Sequence, residues 1–324
     1  MNKTLYKVIF NKKRGCMMAV AENTLRDGKS TQDSNAGHVS DMPEASFSLK
    51  LSQFSLQLIL GSAALLSSTV QAAGIAVDTS APKSQQATVL QTANSLPQVN
   101  IQTPTAGGVS VNQYQQFDVQ SQGAILNNSR KNTQTQLAGW IQGNPWLSNG
   151  EAKVIINQVN SNNPSLLGGY IEVGGKRAEV VMANPAGIQV SGAGFINASG
   201  VTLTTGKPVM TNGILEGFQV RQGKVEVSGK GLDTSDSDYT RILSQTAAVN
   251  AGIWAKDLSV VAGSNDVKAD GSHAASAGNT PSTPYSIDTG SLGGMYAGKI
   301  TLVSTDKGLG INNAGQIFAG AGGV

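Results

Sequence analysis

Cysteine and histidine are almost missing from this sequence. Cys16 is the only cysteine among 324 residues, and of two histidines only His273 lies beyond the first 72 residues. If the first segment is removed, the remainder has no thiol, which excludes disulfides, thiolate metal sites and a cysteine nucleophile there. These absences remove most of the side chains on which catalysis and metal binding depend.

Charged and aromatic residues are also few, at 13% and 5% of the chain. The first 72 residues hold eight Lys and Arg and five Asp and Glu, so the totals of 23 and 20 leave fifteen of each sign in the remainder. The net charge of +3 therefore lies entirely in the amino-terminal segment. Because the remainder is balanced and has no basic stripe, we predict no nucleic-acid partner.

Glycine is abundant, with 39 residues, and Asn, Gln, Ser and Thr replace the missing charges. This mixture disfavours long helices and predicts many short strands joined by tight polar turns. A disordered chain is the alternative for such a polar composition, but the recurring Val, Ile and Leu runs argue against it.

The first 72 residues have the organisation of an export signal. A basic opening, MNKTLYKVIFNKKRG, is followed by a polar spacer and by the uncharged, largely apolar stretch Leu51–Val70. Small residues at Val70-Gln71-Ala72 predict cleavage between Ala72 and Ala73. A membrane anchor is the alternative, but the apolar core LQLILGSAALL is much shorter than the roughly 20 residues of a bilayer span. We therefore expect a cleaved signal at 1–72 and an exported domain at 73–324.

The most informative stretch covers residues 163–206, where two Asn-Pro turns separate short β-branched runs. Asn163-Pro164 and Asn184-Pro185 are separated by about twenty residues, the length of one coil of a solenoid. Between them lie the strand-like pieces Tyr170–Val173 and Ala178–Met182. The spacing predicts a parallel β-solenoid in which Val, Ile and Leu stack inside while Asn and Gly occupy the corners.

Further strand-like segments flank this stretch, separated mostly by Gly, Asn or Pro. They are Val109–Val111, Phe117–Val119, Ala124–Leu126, Lys153–Val159, Ile188–Val190, Val201–Thr204 and Val225–Val227. Residues 238–250 fit a helix by the period of their apolar residues, although a strand fits them too. Residues 263–284 are predicted to form a loop. The sequence stops at Val324 in mid-pattern, so we expect a longer solenoid to continue from it.

Two clusters have the residue types of a chemical site. Asp270, Ser272 and His273 suggest a hydrolase, but near-adjacent loop residues rarely hold a catalytic triad in register, so a solvated loop is favoured. The acidic run Asp233, Asp236 and Asp238 suggests calcium, yet it lacks the spacing of an EF-hand, and a solvated turn is favoured. We predict no enzyme, metal or cofactor.

Two further features are better explained by packing. Gly192-Ala193-Gly194 lacks the third glycine and the βαβ context of a dinucleotide site, so close packing of the backbone is favoured. Trp140, Trp146 and Trp254 could bind a ligand, but packing in the core or the cap is favoured for them.

The stretch from Tyr170 to Gly206 resembles the secretion domain of two-partner-secretion (TPS) exoproteins. This family includes filamentous haemagglutinin, large haemolysins and CdiA-type effectors of contact-dependent growth inhibition. Asn163-Pro164-Ser165-Leu166 stands where the family has an NPNL-like motif, and Asn184-Pro185-Ala186-Gly187-Ile188 where it has NPNGI. Ser165 and Ala186 each replace an Asn. Residues 239–261 and 287–313 resemble later parts of the domain, and the opening resembles the family's extended signal peptides.

The resemblance implies an all-β fold, namely a right-handed parallel β-helix with an amino-terminal cap and extra-helical β-hairpins. It also implies export through the Sec translocon, recognition by a TpsB-type outer-membrane transporter with POTRA domains, and folding outside the cell. The candidate residues, for partner recognition or only for turn geometry, are Asn163, Pro164, Leu166, Asn184, Pro185, Gly187 and Ile188.

The full-length protein is then expected to be a growth-inhibition effector that reaches the cell surface and contacts a target-cell receptor. A haemagglutinin-like adhesin or a haemolysin is the alternative, which adhesion by residues 73–324 alone would favour. A polysaccharide-active enzyme on a β-helix is a third possibility, but it would need carboxylates clustered on neighbouring coils, whereas the acids here are scattered.

Overall fold

The structure is a computed structural model and describes residues 6–11, 16–21, 74–278 and 281–324. The chain divides into two compact units, Met1–Leu66 and Ser67–Val324. In the first unit, β1 (Tyr6–Asn11) pairs antiparallel with β2 (Cys16–Ala21). The apolar segment of the expected signal and its cleavage site at Ala72 and Ala73 lie outside the described residues.

The described part of the second unit consists almost entirely of short strands. Its cap and first coil contain β3 (Ile75–Val77), β4 (Thr88–Gln91), β5 (Pro97–Asn100), β6 (Val109–Phe117), β7 (Ala124–Asn128), β8 (Thr133–Thr135) and β9 (Gly139–Ile141). The next coils contain β10 (Val154–Val159), β11 (Ser165–Leu167), β12 (Tyr170–Gly175), β13 (Ala178–Ala183), β14 (Ile188–Val190), β15 (Ala193–Ile196), β16 (Ala198–Thr204), β17 (Lys207–Thr211), β18 (Ile214–Val220), β19 (Lys224–Val227) and β20 (Leu232–Thr234).

The last coils contain β21 (Thr240–Ser244), β22 (Thr246–Val249), β23 (Gly252–Ala255), β24 (Asp257–Ala262), β25 (Asn265–Lys268), β26 (His273–Ala275), β27 (Tyr285–Thr289), β28 (Gly294–Ala297), β29 (Lys299–Ser304), β30 (Gly310–Asn313) and β31 (Gln316–Ala319). Single-turn 3-10 helices at Lys83–Gln85 and Pro145–Leu147 are the helices of the described residues. Neither has the length or the apolar character needed to cross a bilayer.

Three sheets form the faces of a β-helix. Face A contains β6, β10, β13, β16, β21, β24 and β29; face B contains β11, β14, β19, β22, β27 and β30; face C contains β5, β7, β12, β15, β20, β23, β28 and β31. Each coil visits faces A, B and C in turn, and each strand pairs in parallel with its equivalent in the next coil. The predicted parallel β-helix is therefore confirmed.

Face A is buried on both sides, which explains its almost continuous apolar strands. In β13, Val180 and Met182 belong to the core inside the helix, whereas Val181 and Ala183 belong to a second apolar cluster outside it. Face B alternates instead: Ile188 and Val190 in β14 point into the core and Gln189 between them is exposed.

Antiparallel elements supply the cap and cover face A. Strands β3 and β4 extend faces A and C at the start of the helix, and β8 pairs with β9. Strands β17, β18, β25 and β26 form a separate four-stranded sheet. Its Phe218, Val220 and Val267 complete the cluster that buries Val181. The cap and the extra-helical hairpins are as expected.

Two expectations of secondary structure need correction. Residues 238–250 contain no helix but β21 and β22, because Ile242 packs into the inner core and Leu243 into the outer cluster, on opposite sides of one strand. The predicted loop at 263–284 contains β25 and β26, which are held by pairing with β18 and with each other. Polar composition hid these strands because the sheet to which they belong has one exposed side.

Candidate functional site

The two Asn-Pro motifs occupy the same corner of the β-helix in successive coils. Asn163-Pro164 joins β10 to β11, and Asn184-Pro185 joins β13 to β14, so both turn the chain from face A to face B. Because β10 pairs with β13 and β11 with β14, the motifs lie directly on each other. Residues 163–166 and 184–188 are called the Asn-Pro corner below.

The Asn184 side chain fastens the two motifs together. Its Nδ2 donates to the carbonyl oxygen of Asn163 (2.9 Å) and to Oγ of Ser165 (3.0 Å), and its Oδ1 accepts from the backbone N–H of Ala186 (2.9 Å). Asn184 is only 1% exposed. Since buried polar groups are costly when unpaired, this set of bonds makes the asparagine a structural part of the corner.

Backbone bonds continue the connection in both directions. The N–H of Ser165 donates to the carbonyl oxygen of Gly187 (3.0 Å), and the N–H of Asn184 donates to that of Thr204 in the following coil (2.9 Å). Gly187 has φ +122°, a conformation that favours glycine. The corner therefore links three successive coils.

The candidate residues divide by exposure. Asn163, Pro164 and Leu166 are exposed and Pro185 is half-buried, whereas Gly187 and Ile188 are buried like the asparagine beside them. A partner of the folded domain can reach only the exposed group. The buried group is out of reach of such a partner once the corner has folded.

The two departures from the family motifs have clear structural consequences. Ser165 is buried, and its hydroxyl oxygen accepts a hydrogen bond from the side-chain amide of Asn184. This position therefore keeps a polar contact between coils. Ala186 contributes its backbone N–H, which any residue except proline would supply. Ser165 is not among the residues predicted from the sequence, although its place inside the first motif indicates it.

The residues that suggested a hydrolase lie in a hairpin turn. His273 is exposed on β26, and Asp270 Oδ1 accepts from the backbone N–H of Ser272 (2.8 Å). Hydrogen bonds from the Ser272 side chain and from this backbone N–H lower the pKa of the Asp270 carboxyl. These contacts describe a polar turn.

The acidic run is bound by protein groups. Arg177 forms an ion pair with Asp238 at 2.9 Å and donates to the backbone carbonyl of Asp236. Asp233 accepts from the Tyr170 hydroxyl (3.2 Å) and from Ser235. In the part of the chain that the structure describes, no three His, Cys, Asp or Glu side chains are grouped to hold a metal.

The glycines of Gly192-Ala193-Gly194 were expected to allow close packing of the backbone. At Gly194 the close neighbour is instead an aromatic ring. A Cβ at Gly194 would overlap the ring of Tyr170 in the preceding coil. Tyr170 can therefore cross this position and donate to Asp233 two coils further along the helix.

None of the three tryptophans is buried, contrary to the expectation of packing in the core or the cap. Trp146 is 43% exposed on the cap, where its Nε1 donates to Thr88 Oγ1 (3.1 Å). Trp140 is 72% exposed on the β8–β9 hairpin, contrary to expectation. Trp254 is also on the surface, because its side chain points outward from face C and stacks on Tyr296 with ring centroids 6.0 Å apart.

Two carboxylates that the sequence did not single out hold the cap in place. Glu172, 4% exposed, accepts from the backbone N–H groups of Gln136 (2.7 Å) and Leu137 (2.8 Å) in the β8–β9 turn. Asp78 accepts from Asn160 (2.6 Å) in the second coil and from Ser80 (2.6 Å). These hydrogen bonds hold the pKa of Asp78 well below its usual range. In the sequence, Glu172 is recognisable as an acidic residue within an otherwise uncharged strand.

A capped β-helix with hairpins on one face and paired Asn-Pro turns at one corner defines a β-helical secretion domain. The crystal structure of the filamentous haemagglutinin secretion domain has a similar fold. It superposes with a TM-score of 0.68 at 34% identity, over 75% of this chain and 83% of that domain.

The sequence model of the TPS secretion domain matches residues 20–324, and the chain belongs to this family. It is 47% identical to the "Toxin CdiA" of Yersinia pestis, over 100% of this chain and 10% of that protein. It is 46% identical to the "tRNA nuclease CdiA-2" of Burkholderia pseudomallei, over 99% of this chain and 10% of that protein.

A third relative, the "16S rRNA endonuclease CdiA" of Enterobacter cloacae, is 51% identical over 68% of this chain and 7% of its own length. The chain thus spans about a tenth or less of the relatives it matches. The matched region is a secretion domain and not an enzyme domain. The family resemblance inferred from the sequence is confirmed.

Proposed function

We propose that this chain starts the export of a large CdiA-like surface exoprotein by engaging a dedicated outer-membrane transporter of the TpsB type. The observation that carries the proposal is the match of the TPS secretion domain to residues 20–324. The similarity of the chain to only about 10% of the length of each of two much longer relatives supports the same role.

Recognition by POTRA domains of the transporter precedes folding in this proposal. The buried position of Asn184 supports that order, since a partner can touch its side chain only before the corner closes. Asn163, Pro164 and Leu166 remain exposed afterwards. Both Asn-Pro motifs can thus be read in the extended chain, while the folded corner presents the first motif alone.

Coil-by-coil folding then retains the exported chain outside the cell. Each added coil buries Val, Ile and Leu against the previous one, at about 1.5–3 kcal/mol per fully buried side chain. It also pairs its strands in parallel with those already folded. Asn184 connects the second and third of these steps, because its amide bonds Asn163 and Ser165 of the preceding coil.

Residues 1–72 act in this proposal as the extended signal that directs the chain through the Sec translocon, with cleavage between Ala72 and Ala73. Amino-terminal sequencing of the exported protein tests this. A start at Ala73 is expected, and a start before Leu51 would contradict it.

The complete protein is, in this proposal, an effector of contact-dependent growth inhibition that contacts a receptor on the target cell. The names of the relatives, a toxin and two nucleases, support this class. Their toxic activity would belong to regions outside the residues matched here.

The test of export uses the chain expressed with and without the cognate transporter, with the amount in the medium as readout. We expect release only when the transporter is present and its POTRA domains are intact. An Ile214→Ala variant, changed at an exposed apolar residue of the hairpin, should be released as the parent is. It serves as the control that a surface substitution alone does not stop release. Equal release without the transporter would contradict the proposal.

A further inference from the structure

A pocket of about 290 Å³ opens between the Asn-Pro corner and the base of the β17–β18 hairpin. The hairpin leaves the β-helix at the same corner one coil later, so the pocket combines residues of two successive coils. The lining residues are Pro185, Thr205, Lys207, Gln219, Arg221 and Gln222. Because these residues come together only in the folded coils, a ligand of this pocket meets the folded domain and not the unfolded chain.

The charge of the pocket is positive. Arg221 is held in place by an ion pair with Asp266 (2.6 Å) and by donation to the carbonyl oxygen of Asn265 (2.9 Å). Lys207 is exposed and forms no ion pair with any residue that the structure describes. The ammonium group of Lys207 therefore remains available for an anionic ligand.

The neutral lining favours a ligand with several hydroxyl groups. The exposed Gln219 amide can both donate and accept hydrogen bonds, and Gln222, whose Nε2 already donates to the carbonyl oxygen of Pro185 (3.3 Å), keeps its Oε1 as an acceptor. Within the described residues, the buried Thr205 hydroxyl beside the pocket has no hydrogen-bond partner. The ring of Pro185 adds an apolar wall. This lining matches an acidic sugar, because such a ligand has several hydroxyl groups, one negative charge and an apolar face.

An added peptide strand fits less well. Strand β17 lies at one edge of the four-stranded sheet, next to the pocket, but it contains Pro208, which has no N–H to donate to a further strand. The volume of the pocket also suits a single compact residue rather than an extended segment.

We propose that this pocket binds the carboxylate and hydroxyl groups of a single uronic-acid residue, such as occurs in acidic surface polysaccharides. Lys207 pairs with the carboxylate, and the amides of Gln219 and Gln222 bind the hydroxyls. This binding goes beyond export, because it belongs to the domain after it has folded.

The test is a titration of the 324-residue chain with glucuronate, followed by two-dimensional NMR of the backbone amides. Glucose, which lacks the carboxylate, and N-acetylglutamate, which lacks the sugar hydroxyls, are the comparison ligands. The matched variants are Lys207→Gln at the pocket and Lys230→Gln at an exposed lysine outside it. Unchanged amide signals away from the substitutions verify that both variants are folded.

We expect glucuronate to shift the amide signals of residues 205–207 and 219–222. Its dissociation constant should be lower than those of both comparison ligands by about fivefold or more. Lys207→Gln should remove the preference over glucose, and Lys230→Gln should retain it. Equal binding of glucose, equal binding of N-acetylglutamate or an unaffected Lys207→Gln variant would each overturn the proposal. Transporter-dependent release is a separate readout, so failure here leaves the export proposal standing.

Discussion

The side chain of Asn184 donates to the carbonyl oxygen of Asn163 across 2.9 Å, so the second Asn-Pro motif holds the first one in the preceding coil. Motifs that lie 21 residues apart along the chain are thus one hydrogen-bonded unit in space. Their geometry separates residues that stabilise the corner from residues that a partner can reach.

Leu166 tests the exposed part of the corner. Its side chain is 38% exposed, and its backbone, not its side chain, makes the bond to Asp118 Oδ1 (2.8 Å). We expect Leu166→Ala to lower the free energy of unfolding by less than about 1 kcal/mol, while transporter-dependent release falls severalfold. Urea unfolding and the amount of secreted protein are the two measurements. Normal release of this variant would remove Leu166 from the recognition residues.

Glu172 tests the attachment of the β8–β9 hairpin to the β-helix. In Glu172→Gln, one acceptor oxygen becomes an NH₂ group that faces the N–H of Gln136 or Leu137. We expect a loss of about 1–3 kcal/mol in the free energy of unfolding. Hydrogen exchange at these two amides should also become faster. The exposed Glu216→Gln is the control; equal exchange rates in both variants would show that the carboxylate does not hold the hairpin.

Asp78 makes the stability of the cap depend on pH. Hydrogen bonds from Asn160, Ser80 and Gln115 lower its pKa in the folded state, whereas an unfolded Asp has a pKa of about 3.9. The folded state therefore binds this proton more weakly. Its contribution to stability is present above the unfolded pKa and is lost as the pH falls from about 4 towards the lower folded pKa.

Asp78→Asn removes this contribution. We expect the free energy of unfolding of the parent to fall more than that of the variant between pH 7 and pH 3, with Ser80→Ala intermediate. Urea unfolding at both pH values measures the difference. Parallel losses in the parent and in Asp78→Asn would mean that other carboxylates control the acid dependence.

Much of the fold could be predicted from local sequence. The strands at Tyr170–Val173, Ala178–Met182 and Ile188–Val190 were expected within one or two residues of the observed ends, because turn residues bound each apolar run. The hairpin β17–β18 is not among the elements predicted from the sequence, although its turn Asn212-Gly213 is a pair typical of tight hairpin turns. Both residues have positive φ there.

Contacts between coils could not be predicted in the same way. The bond from Asn184 to Ser165 depends on the register between β11 and β14, which a single sequence does not specify. The strand at Thr240–Ser244 was predicted as a possible helix. Local sequence does not show that the distant hairpins bury Leu243 in the outer cluster, on the opposite side of the strand from the inner core. Exposure of Trp254 on face C likewise depends on which side of the strand faces outward.

The most direct test of the account is the coupling energy between Asn184 and Ser165 in a double-mutant cycle. Urea unfolding is measured for the parent, for Asn184→Ala, for Ser165→Ala and for the double variant. We expect Asn184→Ala to cost about 3 kcal/mol, since it leaves buried partners unpaired. The coupling should be about 1 kcal/mol, because the two side chains share a buried hydrogen bond. Additive effects of the two substitutions, with a coupling of zero, would contradict the claim that the two Asn-Pro motifs form one structural unit.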